Sequence, residues 1–267
     1  MMSAIVLAAG TSSRMGHPKP LLEVRGQRLL ERVLETVQHS TAEEVVVVLG
    51  SEADQVLAEV PLDGANVVVN DRYPEGMSTS IRAGIQSLSS EAESALVVLA
   101  DQPFLQSETL DALGEEWKAT GAPVLIPTFQ GVRGNPVLLD RSVFGDVRGI
   151  TGDRGCRSIF GNYEGEIVEV PVSDPGVLLD IDTEEQLERL TRNLEEGEAL
   201  ETLALELHQE GEGHLPVVAQ GSSHFGRSIA DDPMDLAQEL RERGEPFVLA
   251  TVVRAVRPAS GKPGFKA

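Results

Sequence analysis

One cysteine, Cys156, stands in a chain of 267 residues. That excludes an intrachain disulfide and a cysteine-based zinc site. Long apolar runs are absent too, and no stretch approaches the roughly 20 residues that span a bilayer. The opening "MMSAIVLAAG" has no basic segment of the kind that starts a secretory signal. It reads as a core strand, and the sequence predicts a cytoplasmic protein. Positive charge is scarce: 22 Lys and Arg face 43 Asp and Glu, a net charge of −21. Such a surface disfavours sequence-independent binding to nucleic acid or to anionic membrane, both of which attract Lys and Arg. It suits a salt-rich cytosol, where dense acidic surface keeps proteins soluble, and loss of stability at low salt is the expected result of a salt series. The five histidines (His17, His39, His208, His214 and His224) show no metal-ligand spacing.

What is present is a regular alternation. Continuous apolar runs of strand length, "SAIVLAA", "EVVVVLG", "ANVVVN" and "SALVVLAD", alternate with helical patterns. In "QRLLERVLETVQ", Leu29, Leu30, Val33, Leu34 and Val37 fall on one helix face, and Ile81, Ile85 and Leu88 form a stripe in "STSIRAGIQSL". "EADQVLAEV" and "SETLDALGEEWKAT" read as further helices, and "APVLIP", "NPVLL", "GEIVEVPV" and "GVLLDID" as further strands. The last predicted helix of this series is "TEEQLERLTRNLEE". This pattern predicts an α/β domain with a mainly parallel sheet over residues 1–195. Residues 196–230 read as an acidic, then Gly/Ser-containing linker, its Glu-rich start either an exposed helix or linker. Residues 231–267 read as one helix, one strand and a Gly/Pro-rich end, too little to bury a core alone.

The segment "LAAGTSSRMGHPKPLL" follows the first strand at once. A glycine- and hydroxyl-rich turn at the carboxyl end of a parallel strand lies where open α/β sheets bind ligands. Gly10 and Gly16 permit a tight turn and close approach. Successive backbone amides there can cradle phosphate oxygens, and Arg14 and Lys19 add positive charge beside them. The spacing matches neither a P-loop nor a dinucleotide fingerprint. Further along, "LVVLADQP" ends a strand on Asp101, which could hold Mg2+ through hard oxygen ligation or cap the next helix, although Ser107 lies closer for that task. In "LLDIDTEEQL", Asp180 and Asp182 alternate along a predicted strand and would face one side. Either Asp182 or Thr183 could instead cap the following helix, with Glu185 nearby. "NDRYPEGMSTSIRAG" gathers Asn70, Gly76, Met77, Ser78 and Ser80 at a helix start, where free amides and hydroxyls suit an anion, or where Ser78 simply caps. Cys156 reads as a small packing residue, as does Trp117.

"LAAGTSSRMGHPK" resembles the signature LAAGxSxRMGxxK of MobA-like nucleotidyltransferases, and within them the molybdenum cofactor cytidylyltransferases. The similarity covers about residues 3–195, with "LADQP", the GMxxSxxxG-like segment, "GVRGNPVLL", "TGDRGCRSIF" and "DIDT" in the expected order. The resemblance implies a three-layer Rossmann-like nucleotidyltransferase fold with CTP and molybdenum cofactor as substrates. It implies that Leu7, Ala8, Ala9, Gly10, Ser12, Arg14 and Lys19 bind the nucleotide, the backbone of Leu7–Gly10 reading the base. Arg14, Lys19 and Asp101 would be catalytic. Asp101 and Asp182 would hold Mg2+. Asn70, Gly76, Met77, Ser78, Ser80, Asn135, Pro136, Asp153 and Arg157 would form the acceptor side; Asn135 stands where the family more often has histidine. "LAAG" in place of "LAGG" favours CTP over GTP. The last 35 or so residues resemble the start of XdhC/CoxI-like proteins, which implies a molybdenum hydroxylase or its maturation factor as partner. The rival expectations are a guanylyltransferase or other small-phosphate nucleotidyltransferase of the same fold, and a non-catalytic molybdenum cofactor chaperone.

Overall fold

The computed structural model describes residues 1–10, 18–153 and 155–211. The strands are β1 (Met2–Ala8), β2 (Glu23–Val24), β3 (Gln27–Arg28), β4 (Glu44–Leu49), β5 (Asn66–Val69), β6 (Ser94–Leu99), β7 (Val124–Phe129), β8 (Val132–Arg133), β9 (Val137–Asp140) and β10 (Ile167–Pro171). The α-helices are α1 (Leu29–Gln38), α2 (Ala53–Glu59), α3 (Met77–Ser87), α4 (Ser107–Thr120), α5 (Phe144–Val147), α6 (Glu184–Glu195) and α7 (Leu200–Gly211). The main sheet runs β10-β7-β9-β6-β1-β4-β5, with β8 paired to β7, while β2 and β3 form a separate hairpin. The pairs β1–β4, β1–β6, β4–β5 and β7–β10 are parallel; β9 runs antiparallel to both β6 and β7.

β1 lies at the centre because it is apolar on both faces, as a strand covered by helices on both sides must be. Side chains alternate along a strand. Ala4, Val6 and Ala8 join one core with Leu30 and Val33 of α1 and Leu110 and Leu113 of α4. Ile5, Leu7 and Ala9 join the opposite core with Ile81 and Ile85 of α3 and Phe144 of α5. These two cores make the three-layer arrangement that the pattern predicts. Every position of the α1 stripe (Leu29, Leu30, Val33, Leu34 and Val37) is buried. α3 reaches β1 only because residue 84 is glycine: a Cβ there would collide with Ile5 Cγ2.

Three local expectations are corrected. Residues 176–182 do not form a strand. Pro175–Leu178 is a 3-10 turn, and the apolar run reflects burial on all sides, Val177, Leu178 and Leu179 being at most 2% exposed. Ser107 does not cap α4. Its hydroxyl donates to Glu108, and the helix start is instead served by Asp174, which accepts from the Gln106 amide at 2.9 Å and the Thr109 hydroxyl at 2.8 Å. The compact unit also runs on to Gly211 instead of ending at 195. Leu203, Ala204 and Leu207 of α7 pack with Leu179, Ile181, Leu187 and Leu190 in a third core, which the Glu-rich composition obscures. The expected remainder of the linker and the 231–267 segment lie outside the described residues.

Candidate active site

The carboxyl ends of β1 and β6 lie side by side, tied by the Ala100 amide to the Leu7 carbonyl at 3.1 Å. Residues leaving both strands therefore meet at one place. A cleft of about 380 Å³ opens there, and Ala8, Ala9, Gly10, Lys19, Asp101 and Met77 are among its walls. Among the described residues, a Cβ added at Gly10 would meet no atom within 4 Å. Arg14 and Ser12 lie outside the described residues.

Lys19 begins a 3-10 turn, Lys19–Leu21, pinned by the buried Pro20. Its Nζ donates to Asp101 Oδ2 at 2.6 Å and to Asp182 Oδ1 at 2.9 Å. Burial would lower the Lys19 ammonium, but the charges and hydrogen bonds of Asp101, then of Asp182, outweigh it and hold the pKa above its ordinary range. Asp182 arrives from the far end of the domain through one backbone bond, the Ile181 amide to the Asp101 carbonyl at 3.0 Å. Thr183, not Asp182, caps α6: its hydroxyl accepts from the Gln186 amide at 3.1 Å, and Gln186 Oε1 accepts from both the Asp182 and Thr183 amides. Gln186 completes the capping box in place of Glu185, which leaves the Asp182 carboxylate for Lys19. Asp180 stands in the same field. Burial first, then the charges of Asp101 and Asp182, push its carboxyl up to about 6.

These carboxylates fit a hard divalent cation. Asp101 Oδ1 is buried without a hydrogen-bond partner among the described residues. Asp101 and Asp182 share the one ammonium of Lys19, so the site has oxygen donors and negative charge of the kind such ions seek. Among the described residues no group of three or more His, Cys, Asp or Glu is placed to hold a metal, so a cation there would take its remaining oxygens from elsewhere, as Mg2+ does with water and phosphate.

The predicted acceptor residues divide. Met77, Gly76, Ser80 and Asp153 line the cleft. An adjoining cavity of about 500 Å³ shares Met77, Leu99 and Asp153 with it and adds Asn135, Cys156 and Arg157. Met77 is 40% exposed, an unusual state for a large apolar side chain that faces a cavity instead of a core. Pro136 is buried behind Asn135, with which it forms a cis peptide bond. The helix mouth itself is not open. The Met77 amide donates to Asp153 Oδ1 at 3.1 Å, the Ser78 amide to the Gly152 carbonyl at 3.1 Å, and the Thr79 amide to the Gly76 carbonyl at 3.0 Å. An anion seated on those amides would have to displace Asp153. Ser78 does not cap α3; its hydroxyl is buried without a partner among the described residues. Asn70 is turned inward, donating to Thr79 Oγ1 at 2.8 Å and Ser80 Oγ at 3.0 Å, so it braces the helix start. Cys156 is buried, and burial pushes its thiol up to about 12.

Sequence reasoning passed over Gln102, although the quoted "LADQP" contains it. Its amide nitrogen donates to the Val177 carbonyl at 3.2 Å, and the same carbonyl accepts from the Asn135 amide at 2.9 Å. One carbonyl thus ties the Asp101 loop to the acceptor-side loop.

Among the described residues, no helix is long and apolar enough to cross a membrane. The chain is 32% identical over 197 residues to the nicotine blue oxidoreductase of Paenarthrobacter nicotinovorans, covering 71% of this chain and 96% of that protein. It is similar to the crystal structure of an Rv0371c homologue from Mycobacterium sp. strain JC1, with a TM-score of 0.67, 30% identity, and coverage of 74% of this chain and 98% of that one. The Mycobacterium tuberculosis Rv0371c structure in complex with manganese gives a TM-score of 0.62 at 28% identity, with 72% of this chain and 98% of that one covered. A model of the MobA-like NTP transferase domain matches residues 4–167. That span holds most of the sheet and the cleft at the ends of β1 and β6, and by it this chain belongs to the MobA-like NTP transferase family.

Proposed function

We propose that the chain is a molybdenum cofactor cytidylyltransferase, moving CMP from CTP to the terminal phosphate of the cofactor. The observation that carries this reading is the meeting of Asp101 and Asp182 on the ammonium of Lys19, with Lys19 and Asp101 bordering one cleft beside the Ala8–Gly10 backbone. A phosphate oxygen of the acceptor attacks the α-phosphorus of CTP. The new oxygen–phosphorus bond forms as the bond to the β-phosphate bridge breaks, and pyrophosphate leaves. No covalent enzyme intermediate is needed, because positioning and charge neutralisation carry such transfers.

Lys19 and Arg14 hold the triphosphate and meet the charge that grows on the leaving pyrophosphate. The backbone of Leu7–Gly10 lies against the base. The adjoining cavity, with Asn135, Asp153 and Arg157 on its walls, takes the acceptor. Asp101 and Asp182 would hold a divalent cation, for which Mg2+ is the natural choice in a cell; bound there, it neutralises phosphate charge. The manganese in the Rv0371c structure supports divalent metal use.

The test is pyrophosphate release with Mg2+ and molybdenum cofactor, comparing CTP, GTP and ATP. Release with CTP alone is expected. Release with GTP would move the base assignment and keep the site. The name of the Paenarthrobacter relative favours a second reading, oxidoreductase chemistry on this fold. Redox turnover of a substrate with no pyrophosphate released would carry that reading instead. Delivery of cofactor without turnover, unchanged in Asp101→Ala, would mark a chaperone.

A further inference from the structure

The proposed roles of Lys19 and of the two carboxylates are separate, one on the triphosphate and the others on a divalent cation. In the structure they are spent on each other. Nζ of Lys19 touches Asp101 Oδ2 and Asp182 Oδ1 at 2.6 and 2.9 Å, the same oxygens that a cation held between those residues would need. A divalent ion and an ammonium cannot share that pair, because like charges a few ångströms apart in a partly desolvated cleft repel strongly. We infer that Lys19 is a positioning residue that closes the cation site of the nucleotide-free protein and surrenders it only when a triphosphate offers the ammonium another partner.

The surroundings support an exchange of partners. The backbone of Lys19 is held by the 3-10 turn and the buried Pro20, so the movement belongs to the side chain. Lysine carries its charge on a flexible four-carbon stem with rotatable donors, and can turn from one oxygen partner to another without moving the main chain. Space for that turn exists, since Lys19, Asp101, Ala9 and Gly10 border one open cleft. The carboxylates do not depend on Lys19 for their place: Asp101 follows β6 directly, and the segment bearing Asp182 is fixed by the Ile181 amide and the Thr183–Gln186 cap. One oxygen, Asp101 Oδ1, is left over when Lys19 is seated. The ammonium fills the charge requirement of the site without filling all its donor positions.

Two consequences follow from linkage. Bare metal binds weakly to the free protein, because it must evict a bonded cation. Metal and triphosphate assist each other by the same factor in either order of binding. The inference rests on the nucleotidyltransferase reading for its purpose, but its first test contains neither CTP nor acceptor. It can fail while that reading stands, and the reverse.

The experiment is a titration of the full-length protein with Mn2+ alone, followed by electron paramagnetic resonance of the free ion. Lys19→Met removes the charge and keeps most of the stem; Lys19→Arg keeps the charge. Thermal melts confirm that each variant is folded. Lys19→Met is expected to bind Mn2+ about tenfold or more tightly than the natural protein, the size of a modest coupling between sites, while Lys19→Arg stays weak. Lys19→Met binding Mn2+ no more tightly than the natural protein, including no binding by either, overturns the inference. Lys19→Arg binding as tightly as Lys19→Met overturns it too, because the positive charge would then have no part in closing the site.

Discussion

The Ile181 amide donates to the Asp101 carbonyl at 3.0 Å, and by that bond two distant segments become one site. Asp182 follows Ile181 immediately, and Thr183 follows Asp182. The structure separates the jobs of these neighbours, the cap going to Thr183 and the ion pair with Lys19 to Asp182. Thr183→Ala is expected to lower stability by about 1 kcal/mol, the usual cost of a lost cap, with Mn2+ affinity unchanged. Asp182→Asn is expected to melt within about 2 °C of the natural protein and to lose metal affinity and turnover by roughly 10–100-fold, as disturbed metal sites do. Melting curves beside Mn2+ titrations check the pair. A destabilised Asp182→Asn with full metal affinity would return the capping role to Asp182.

Asp174 carries a structural load that α4 cannot supply itself. Its carboxylate is 2% exposed and accepts from the Gln106 amide, the Thr109 hydroxyl and the Gly176 amide. Asp174→Ala strands three donors in the interior and is expected to cost roughly 2–4 kcal/mol in a denaturant titration. Because the same carboxylate anchors the turn that bears Val177, turnover should fall together with stability.

The α3–β1 contact has no slack. Gly84→Val drives a side chain into Ile5 and is expected to cost about 1–3 kcal/mol by overpacking. Ile5→Ala in the same chain opens room for the new methyl groups. The double variant should therefore be more stable than the sum of the two single losses, a non-additivity that neighbours in contact show. Simple additivity in thermal melts would mean the two residues do not press on each other.

Cys156 is the sole cysteine, so thiol chemistry reads one position. It is buried, and its thiol is pushed up to about 12 from an ordinary 9.0 by loss of solvent. The folded state thus holds the thiol proton more tightly than the unfolded chain. The stability from this group is fully present below pH 9 and drains away as the pH climbs toward 12, by about 1.4 kcal/mol for each unit. At neutral pH a thiol-reactive dye should label the folded protein slowly and the unfolded chain at once. Above pH 9, Cys156→Ala should lose stability less steeply than the natural protein. Fast labelling of the folded form at neutral pH would contradict both.

The strands and helices around β1 were legible because burial on two faces and the 3.6-residue stripe leave plain patterns in the residues themselves. That Ala9, Gly10 and Lys19 would border one cleft was legible in part, because a glycine turn after a central parallel strand marks the place where open sheets bind ligands. Residues 176–182 misled because an apolar run records burial, and a buried turn leaves the same record as a buried strand. α7 was hidden behind its glutamates, which interrupt the apolar positions Leu203, Ala204 and Leu207 that are buried in the core. The roles of Asp174, Gln102 and Asn70 were illegible for a different cause. Each depends on partners in other elements, and nothing at the position itself announces the neighbour that folding supplies.

The reversed direction of β9 has a consequence for how such a site can change over time. β1 and β6 run parallel and deliver the residues that follow them, Ala9, Gly10 and Asp101, to the cleft. β9 runs the other way, pairing Val137 with Val97 near the end of β6, and delivers the loop that precedes it. Asn135 therefore borders the cavity beside the cleft from the short connection between β8 and β9. That connection is not free to vary alone: the Asn135 amide and the side chain of Gln102, the neighbour of Asp101, meet on the Val177 carbonyl, and a Cβ at residue 134 would strike the same oxygen. A lineage that alters this loop therefore also shifts the support of the segment that carries Asp101.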